Sequence, residues 1–295
     1  MPGKKLISRI KGRLDRQFIE PVRRARRARA NVDRVLNPLF VTGAMGSGTT
    51  LLGLELGQRF ETSGIIDESC LAVPKDSYLH VEPIERHRLI GDYYQSLLPR
   101  RDWQIDVGRK QMLLLYRERA ERGVGPIVDK AANSHLCRSA FLLRCFSEAP
   151  MLVIFRDPVA NIEGFRRKWP TFGNDSLVEN ISFYRTIHEA FLETRARNPG
   201  RTLLLSYEAL TMDPDATFDL VRESVGLVPV EEAAGIEFRA NEIGQGVRNV
   251  GSDGIQIVAN ANEKALAAVP PEEASSISTA LGDLHTRMLR EADNV

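Results

Sequence analysis

Disulfides, a zinc centre and a membrane span all lack their raw material in this sequence. Cysteine occurs three times, as Cys70, Cys137 and Cys145, an odd number with no CxxC pair. That argues against a disulfide framework and against a cysteine-held zinc ion. The five histidines are scattered, without HExxH or HxH spacing, so no metal is expected. No apolar run approaches the roughly 18 residues that a membrane-crossing helix needs. The residues after Met1, PGKKLISRIKGRLDRQ, are broken by charge throughout and offer no secretory apolar region. The expectation is a soluble, cytoplasmic protein. What is there in quantity is apolar residue, 43% of 295, enough to bury a substantial core.

A net charge of +1 conceals an asymmetry. Residues 1–36 hold 12 Lys/Arg against 3 Asp/Glu, while the remainder holds 28 against 36. The stretch VRRARRAR at 22–29 supplies most of the excess. Leu6, Ile7, Ile10, Leu14, Phe18 and Ile19 fall at spacings that gather on one face of a helix. Two readings stay open for residues 1–30. One is a helix packed on the domain with its basic face in solvent; the other is a helix lying on an anionic membrane. Nucleic acid is not an expected partner, because the rest of the chain is acidic and carries no nucleic-acid motif. The organisation expected is a basic amphipathic extension, 1–36, followed by one domain, 37–295.

Five short apolar segments read as strands: Leu39–Gly43, Gly64–Asp67, Pro126–Asp129, Met151–Phe155 and Thr202–Ser206. Each is nearly continuous, as parallel strands covered on both faces should be. Amphipathic stretches alternate with them: Thr50–Phe60, Ile84–Leu98, Ile105–Arg122, Ser134–Phe146 and Leu177–Asn198. The alternation predicts an α/β fold, a doubly wound parallel sheet with helices on both faces. Ligands of such sheets bind beyond the C-terminal strand ends. Residues 227–262 read as irregular, and a last helix is expected near Pro271–Glu291.

The segment Gly43-Ala-Met-Gly-Ser-Gly-Thr-Thr50 follows the first strand and opens a helix. Glycines let backbone N–H groups converge on phosphate oxygens, and the helix N-terminus adds positive potential. Gly43, Gly46, Ser47, Gly48, Thr49 and Thr50 are therefore the candidate phosphate-binding residues of a P-loop NTPase-like fold. The ATP-binding form GxxxxGK[ST] needs Lys after its last glycine, where this chain has Thr49. The loop is made for phosphate but not for ATP, so a P-loop kinase is the weaker reading.

The stretch NPLFVTGAMGSGTTLL resembles the 5′-phosphosulfate loop of sulfotransferases that use 3′-phosphoadenosine 5′-phosphosulfate (PAPS), near GxxRSGTTLL. Three further blocks follow in order. Val128-Asp-Lys-Ala-Ala-Asn133 is similar to (D/E)K(T/S)PxN, and Val153-Ile-Phe-Arg-Asp-Pro158 to VxRDP. Ser206-Tyr-Glu-Ala-Leu210, with Asp213-Pro214 and Val225-Gly-Leu227, is similar to YExL…DP…LGL. A late Arg248-Asn-Val-Gly251 resembles the loop that closes over the nucleotide. The resemblance implies PAPS as sulfuryl donor and a hydroxyl-bearing acceptor, either carbohydrate, glycolipid or another alcohol.

Two positions depart from the family. Its Arg or Lys before SGTT is Gly46 here, and its Ser eight residues after the RDP arginine is Gly164. These departures keep open a catalytically impaired protein of the same fold that binds a nucleotide or a partner. By resemblance Arg156 takes the 3′-phosphate, a task that an arginine fork suits, and Arg248 binds the nucleotide from the closing loop. Lys130, closing the third strand, is the candidate for the cation missing at Gly46. For the base, Asp67-Glu68 close the second strand beside the same crevice, and Ile66-Asp-Glu-Ser resembles the GEE stretch of tyrosylprotein-type sulfotransferases. Glu68 is the first choice, with His135 and His80 as rivals because imidazole titrates nearer neutral pH. Tyr207 and Glu208 read as structural.

Overall fold

The computed structural model describes residues 38–98, 105–120, 125–169, 176–230, 250–251, 254–255 and 261–294. The basic extension 1–36 and Arg248 lie outside the described residues. Five strands form one sheet: β1 (Pro38–Thr42), β2 (Gly64–Asp67), β3 (Ile127–Lys130), β4 (Met151–Phe155) and β5 (Thr202–Ser206). Their order is β2-β3-β1-β4-β5, with every neighbouring pair parallel. The α/β fold is the one expected from the alternating pattern. A two-stranded antiparallel pair, β6 (Val250–Gly251) with β7 (Gly254–Ile255), stands where irregular chain was expected.

Every residue of β1, β3, β4 and β5 is buried, which is why their sequences are continuous apolar runs rather than alternating ones. Helices cover both faces. On one, Leu39, Val41, Leu152 and Ile154 pack against Leu52 and Leu56 of α1 (Thr49–Arg59). Phe40, Met151, Val153 and Phe155 point the other way and meet four helices. After the short α2 (Ser69–Ala72) and α3 (Ile90–Leu97), these are α4 (Ile105–Arg119), α6 (Ser139–Cys145), α8 (Leu177–Arg197) and α12 (Pro271–Glu291). A short α5 (Ser134–Cys137) precedes α6. Among the described residues no helix is long and apolar enough to cross a membrane.

Two expected helices are broken. Within Ile84–Leu98 a 3₁₀ turn, Ile84–Arg86, is separate from α3, because Glu85, Arg86, Arg88 and Leu89 are exposed and give that stretch no buried face. Ser134–Phe146 is interrupted at Arg138, whose buried guanidinium donates to the carbonyls of Leu79, Ser96 and Leu97. Ser96 and Leu97 end α3, so the arginine caps that helix and pins it beside the break.

Both Asp-Pro dipeptides start helices that were not expected: α7 (Pro158–Lys168) and α10 (Pro214–Val225). Asp157 accepts from the backbone N–H of Val159 (2.9 Å) and Ala160 (3.0 Å), and Asp213 from that of Ala216 (2.9 Å). Proline at the first helical position loses no bond there, so each pair is a cap followed by a start. Between them runs α9 (Tyr207–Met212), and α11 (Ala261–Leu266) precedes the last helix.

Candidate active site around the glycine-rich loop

The loop joins β1, the central strand, to α1. Gly46 (φ +89°) and Gly48 (φ +102°) occupy left-handed backbone, which other residues adopt only with strain. Gly43 is fixed by space instead: a Cβ there would lie 2.1 Å from the Ile154 carbonyl oxygen. A Cβ on Gly48 would meet the Tyr207 ring at 2.6 Å. The helix start at Gly48 has no side-chain cap, which leaves its N–H groups to an anion. Ser47 Oγ is turned inward, donating to the Ala44 carbonyl (2.7 Å).

The blocks recognised in the sequence interlock around this loop. Asn133 accepts from Met45 N–H through Oδ1 (2.9 Å) and donates its own N–H to the Gly43 carbonyl (2.9 Å). Tyr207 packs on Gly48, and the Arg156 guanidinium lies 4.6 Å above the same ring. Glu208 accepts from the Asp157 N–H (3.0 Å), the Ser206 hydroxyl (3.1 Å) and the Asn262 amide. Tyr207 and Glu208 are thus held as parts of the scaffold. Asn133 carries more of the loop's shape than its sequence suggested. Its signal was its place at the end of the DKAAN block, while its left-handed φ of +52° was not readable.

Arg156, directly after β4, meets both departures from the family at once. Its Nη1 donates to the Gly46 carbonyl (3.2 Å), and a Cβ on Gly164 would stand 3.9 Å from the same nitrogen. Its Nε donates to Asn262 of α11. Burial pulls its pKa down, and Tyr207 and Glu208 oppose that. The guanidinium is therefore folded over the loop, bonded to the Gly46 carbonyl and in contact with the space a side chain at 164 would enter.

On the opposite side β3 and β2 end in charge. Lys130 Nζ lies 2.5 Å from Asp67 Oδ1, 3.8 Å from Glu68 Oε1 and 3.5 Å from Thr50 Oγ1 of the loop. Its stem runs past Gly53 of α1, where a Cβ would come within 3.4 Å of it. Glu68 sits in left-handed backbone (φ +52°) and accepts from the Ala132 N–H (3.1 Å) through Oε1. Burial pushes its carboxyl pKa up, against the lowering effect of Lys130. Among the described residues Glu68 and Asn133 are the two non-glycine residues at positive φ, and both flank the loop. Strained backbone of this kind concentrates at functional sites.

His135 is placed differently. Its Nε2 lies 3.0 Å from Asp129 Oδ1 and its ring meets Phe40 edge-on at 5.5 Å, under the sheet rim. Asp129 also accepts from the Tyr116 hydroxyl (2.6 Å), so His135 belongs to a buried polar cluster. His80 stands further out, its Nδ1 3.3 Å from the Val73 carbonyl and its Nε2 3.7 Å from Glu82.

Residues 38–232 match the model of the sulfotransferase family. Among solved structures, the sulfotransferase domain from the curacin biosynthetic pathway aligns with a TM-score of 0.54 at 17% identity, covering 85% of this chain and 99% of that one. A sulfotransferase from Mycobacterium tuberculosis H37Rv aligns with a TM-score of 0.50 at 17% identity, over 81% of this chain and 79% of its own. At that identity the likeness is one of fold. No curated protein matches the sequence.

Proposed function

Given that the chain belongs to the sulfotransferase family, we propose that it transfers a sulfuryl group from PAPS to the hydroxyl of an acceptor. The observation that carries this reading is the loop itself. It is shaped by positive-φ glycines at 46 and 48, braced by Asn133 and Tyr207, and has Thr49 where an ATP-binding loop needs Lys. Gly46, Gly48, Thr49 and Thr50 present the loop's N–H groups to the 5′-phosphosulfate. Arg156, which bonds the Gly46 carbonyl and stands 3.9 Å from where a Gly164 Cβ would lie, serves the nucleotide's phosphates once its guanidinium swings off that carbonyl.

The transfer requires a bond from the acceptor oxygen to sulfur to form as the bond from sulfur to the 5′-phosphate oxygen breaks. The electron pair leaves with that phosphate, and the acceptor proton passes to a base. Glu68 fits the role of base. Its carboxyl stands beside Lys130 at the end of β2, one oxygen is held by the Ala132 N–H, and burial raises its proton affinity. Lys130 keeps it charged and oriented. His135 is buried between Asp129 (3.0 Å) and the Ser69 hydroxyl (3.5 Å) and ranks behind Glu68.

Thermal shift tests the donor site. Adenosine 3′,5′-bisphosphate at about 100 times its Kd should stabilise the chain by about 2.7 kcal/mol, and magnesium-ATP at equal concentration should not. Equal stabilisation by both would overturn the reading. The folding of Arg156 over Gly46 favours one second reading, a fold that binds the nucleotide without turnover; incubation with labelled PAPS and a panel of hydroxyl acceptors separates the two.

A further inference from the structure

Three cations close α7 in succession: Arg166, Arg167 and Lys168. The first two are neutralised. Arg166 Nη1 lies 2.7 Å from Glu273 of α12, and Arg167 Nε lies 2.7 Å from Glu163 one turn back. Lys168 forms no ion pair among the described residues. It is half-buried, and its Nζ lies 5.8 Å from the Trp169 ring centre.

The course of α7 places Lys168 on the helix face that meets the loop. The helix abuts the loop at the position that lacks a side chain. A Cβ on Gly46 would lie 3.2 Å from the Asn161 carbonyl oxygen and 3.5 Å from the Phe165 nitrogen. Residues 161, 165 and 168 follow one another along one helical face. The charges around Lys168 agree with that placement. Burial, Arg167, Arg156 and Lys130 pull its pKa down to about 8, and Glu163 opposes them. Arg156 follows β4 and Lys130 ends β3, and these strands flank β1 on either side.

Resting on the sulfuryl-transfer reading above, we infer that Lys168 supplies from α7 the positive charge that the loop lacks at Gly46, meeting the 5′-phosphate oxygen that leaves and the sulfuryl group beside it. Gly46 could not carry that charge itself without strain, since its φ of +89° is left-handed. Lys130 is the less suited cation, because Asp67 at 2.5 Å and Glu68 at 3.8 Å already balance it.

Lys168→Gln and Lys168→Arg, with Arg167→Gln as the neighbour control, test the assignment in the full chain. Loss of one preorganised charge at a developing anion should lower kcat about 10²–10³-fold in Lys168→Gln, while Arg largely restores it. In the wild type kcat/KM should fall as pH rises through about 8, where the free ammonium loses its proton, and this limb should vanish in Lys168→Arg. A readout independent of turnover is acylation of Lys168 by an amine reagent near pH 8, followed by peptide mass; adenosine 3′,5′-bisphosphate should protect it. If that nucleotide stabilises the wild type but neither protects Lys168 nor binds more weakly to Lys168→Gln, and turnover persists, the assignment is overturned. If it fails to stabilise the wild type at all, the donor-site reading falls first and Lys168 with it.

Discussion

The two sides of the glycine-rich loop carry opposite electrostatics. On the β2–β3 side one cation, Lys130, faces two carboxylates, Asp67 and Glu68. On the β4–α7 side the direct partners of Arg156 are a carbonyl, an amide and a tyrosine ring, with Glu208, Glu163 and Asp157 acting on it from further off. Lys168 forms no ion pair among the described residues, Glu163 acting on it only at a distance. One side can hold negative charge and take up a proton; the other is left positive for an anion. A reaction that moves an anionic group from a phosphate to a hydroxyl needs both, on opposite flanks of the reacting centre. The sheet order supplies that separation, since β1 and its loop lie between β3 and β4.

The comparison breaks most visibly at Glu68. Glu68→Gln keeps the shape and the Ala132 hydrogen bond but removes the proton acceptor. Turnover should fall by about 10²–10⁴-fold, with adenosine 3′,5′-bisphosphate binding nearly unchanged. A Glu68→Gln enzyme with wild-type kcat would move the base elsewhere, His135 being the next group to test. The opposite side should respond in the opposite way. Arg156→Ala should weaken nucleotide binding by about 1.5–3 kcal/mol, roughly 10- to 100-fold in Kd. Isothermal titration reads the affinity and thermal melting checks the fold. Unchanged affinity would show that Arg156 serves only as a brace between Gly46, Asn262 and Tyr207.

The strand framework was readable because it rests on burial alone. Four strands covered on both faces leave continuous apolar runs; Lys130 ends one of them and Glu68 directly follows β2, so both fall at the rim by topology. The β4–α7 side was harder to read. The helix after Asp157-Pro158 was not among the expected stretches, although Val159, Ile162 and Phe165 give it a buried face. Lys168 gains its meaning only from the meeting of α7 with Gly46, a contact between residues far apart in sequence. Gly46 and Gly164 were visible as departures, but that Arg156 bonds the Gly46 carbonyl and lies against Gly164 was not. The left-handed backbone of Glu68 and Asn133 leaves no compositional trace, because neither residue type demands it.

Lys130 gives the finest test of the asymmetry. In the sequence it was the nearest candidate for the cation missing at Gly46, and in the structure it is bound to the carboxylates of its own side. The two roles differ in their pH signature. Glu68 must be deprotonated to accept a proton, so kcat rises with pH through its pKa. Burial raises that pKa and the Lys130 charge lowers it. Replacing the lysine by methionine removes the lowering influence while keeping the stem against Gly53. The acidic limb of the pH–rate profile should therefore move to higher pH in Lys130→Met, and well above that limb most of the rate should return. If Lys130 instead meets the leaving phosphate, the variant loses about 10²–10³-fold at every pH and raising the pH rescues nothing. A profile of kcat against pH for Lys130→Met beside the wild type decides between them. A uniform loss would return the anion-stabilising charge to the β3 side and dissolve the division of labour drawn across the loop.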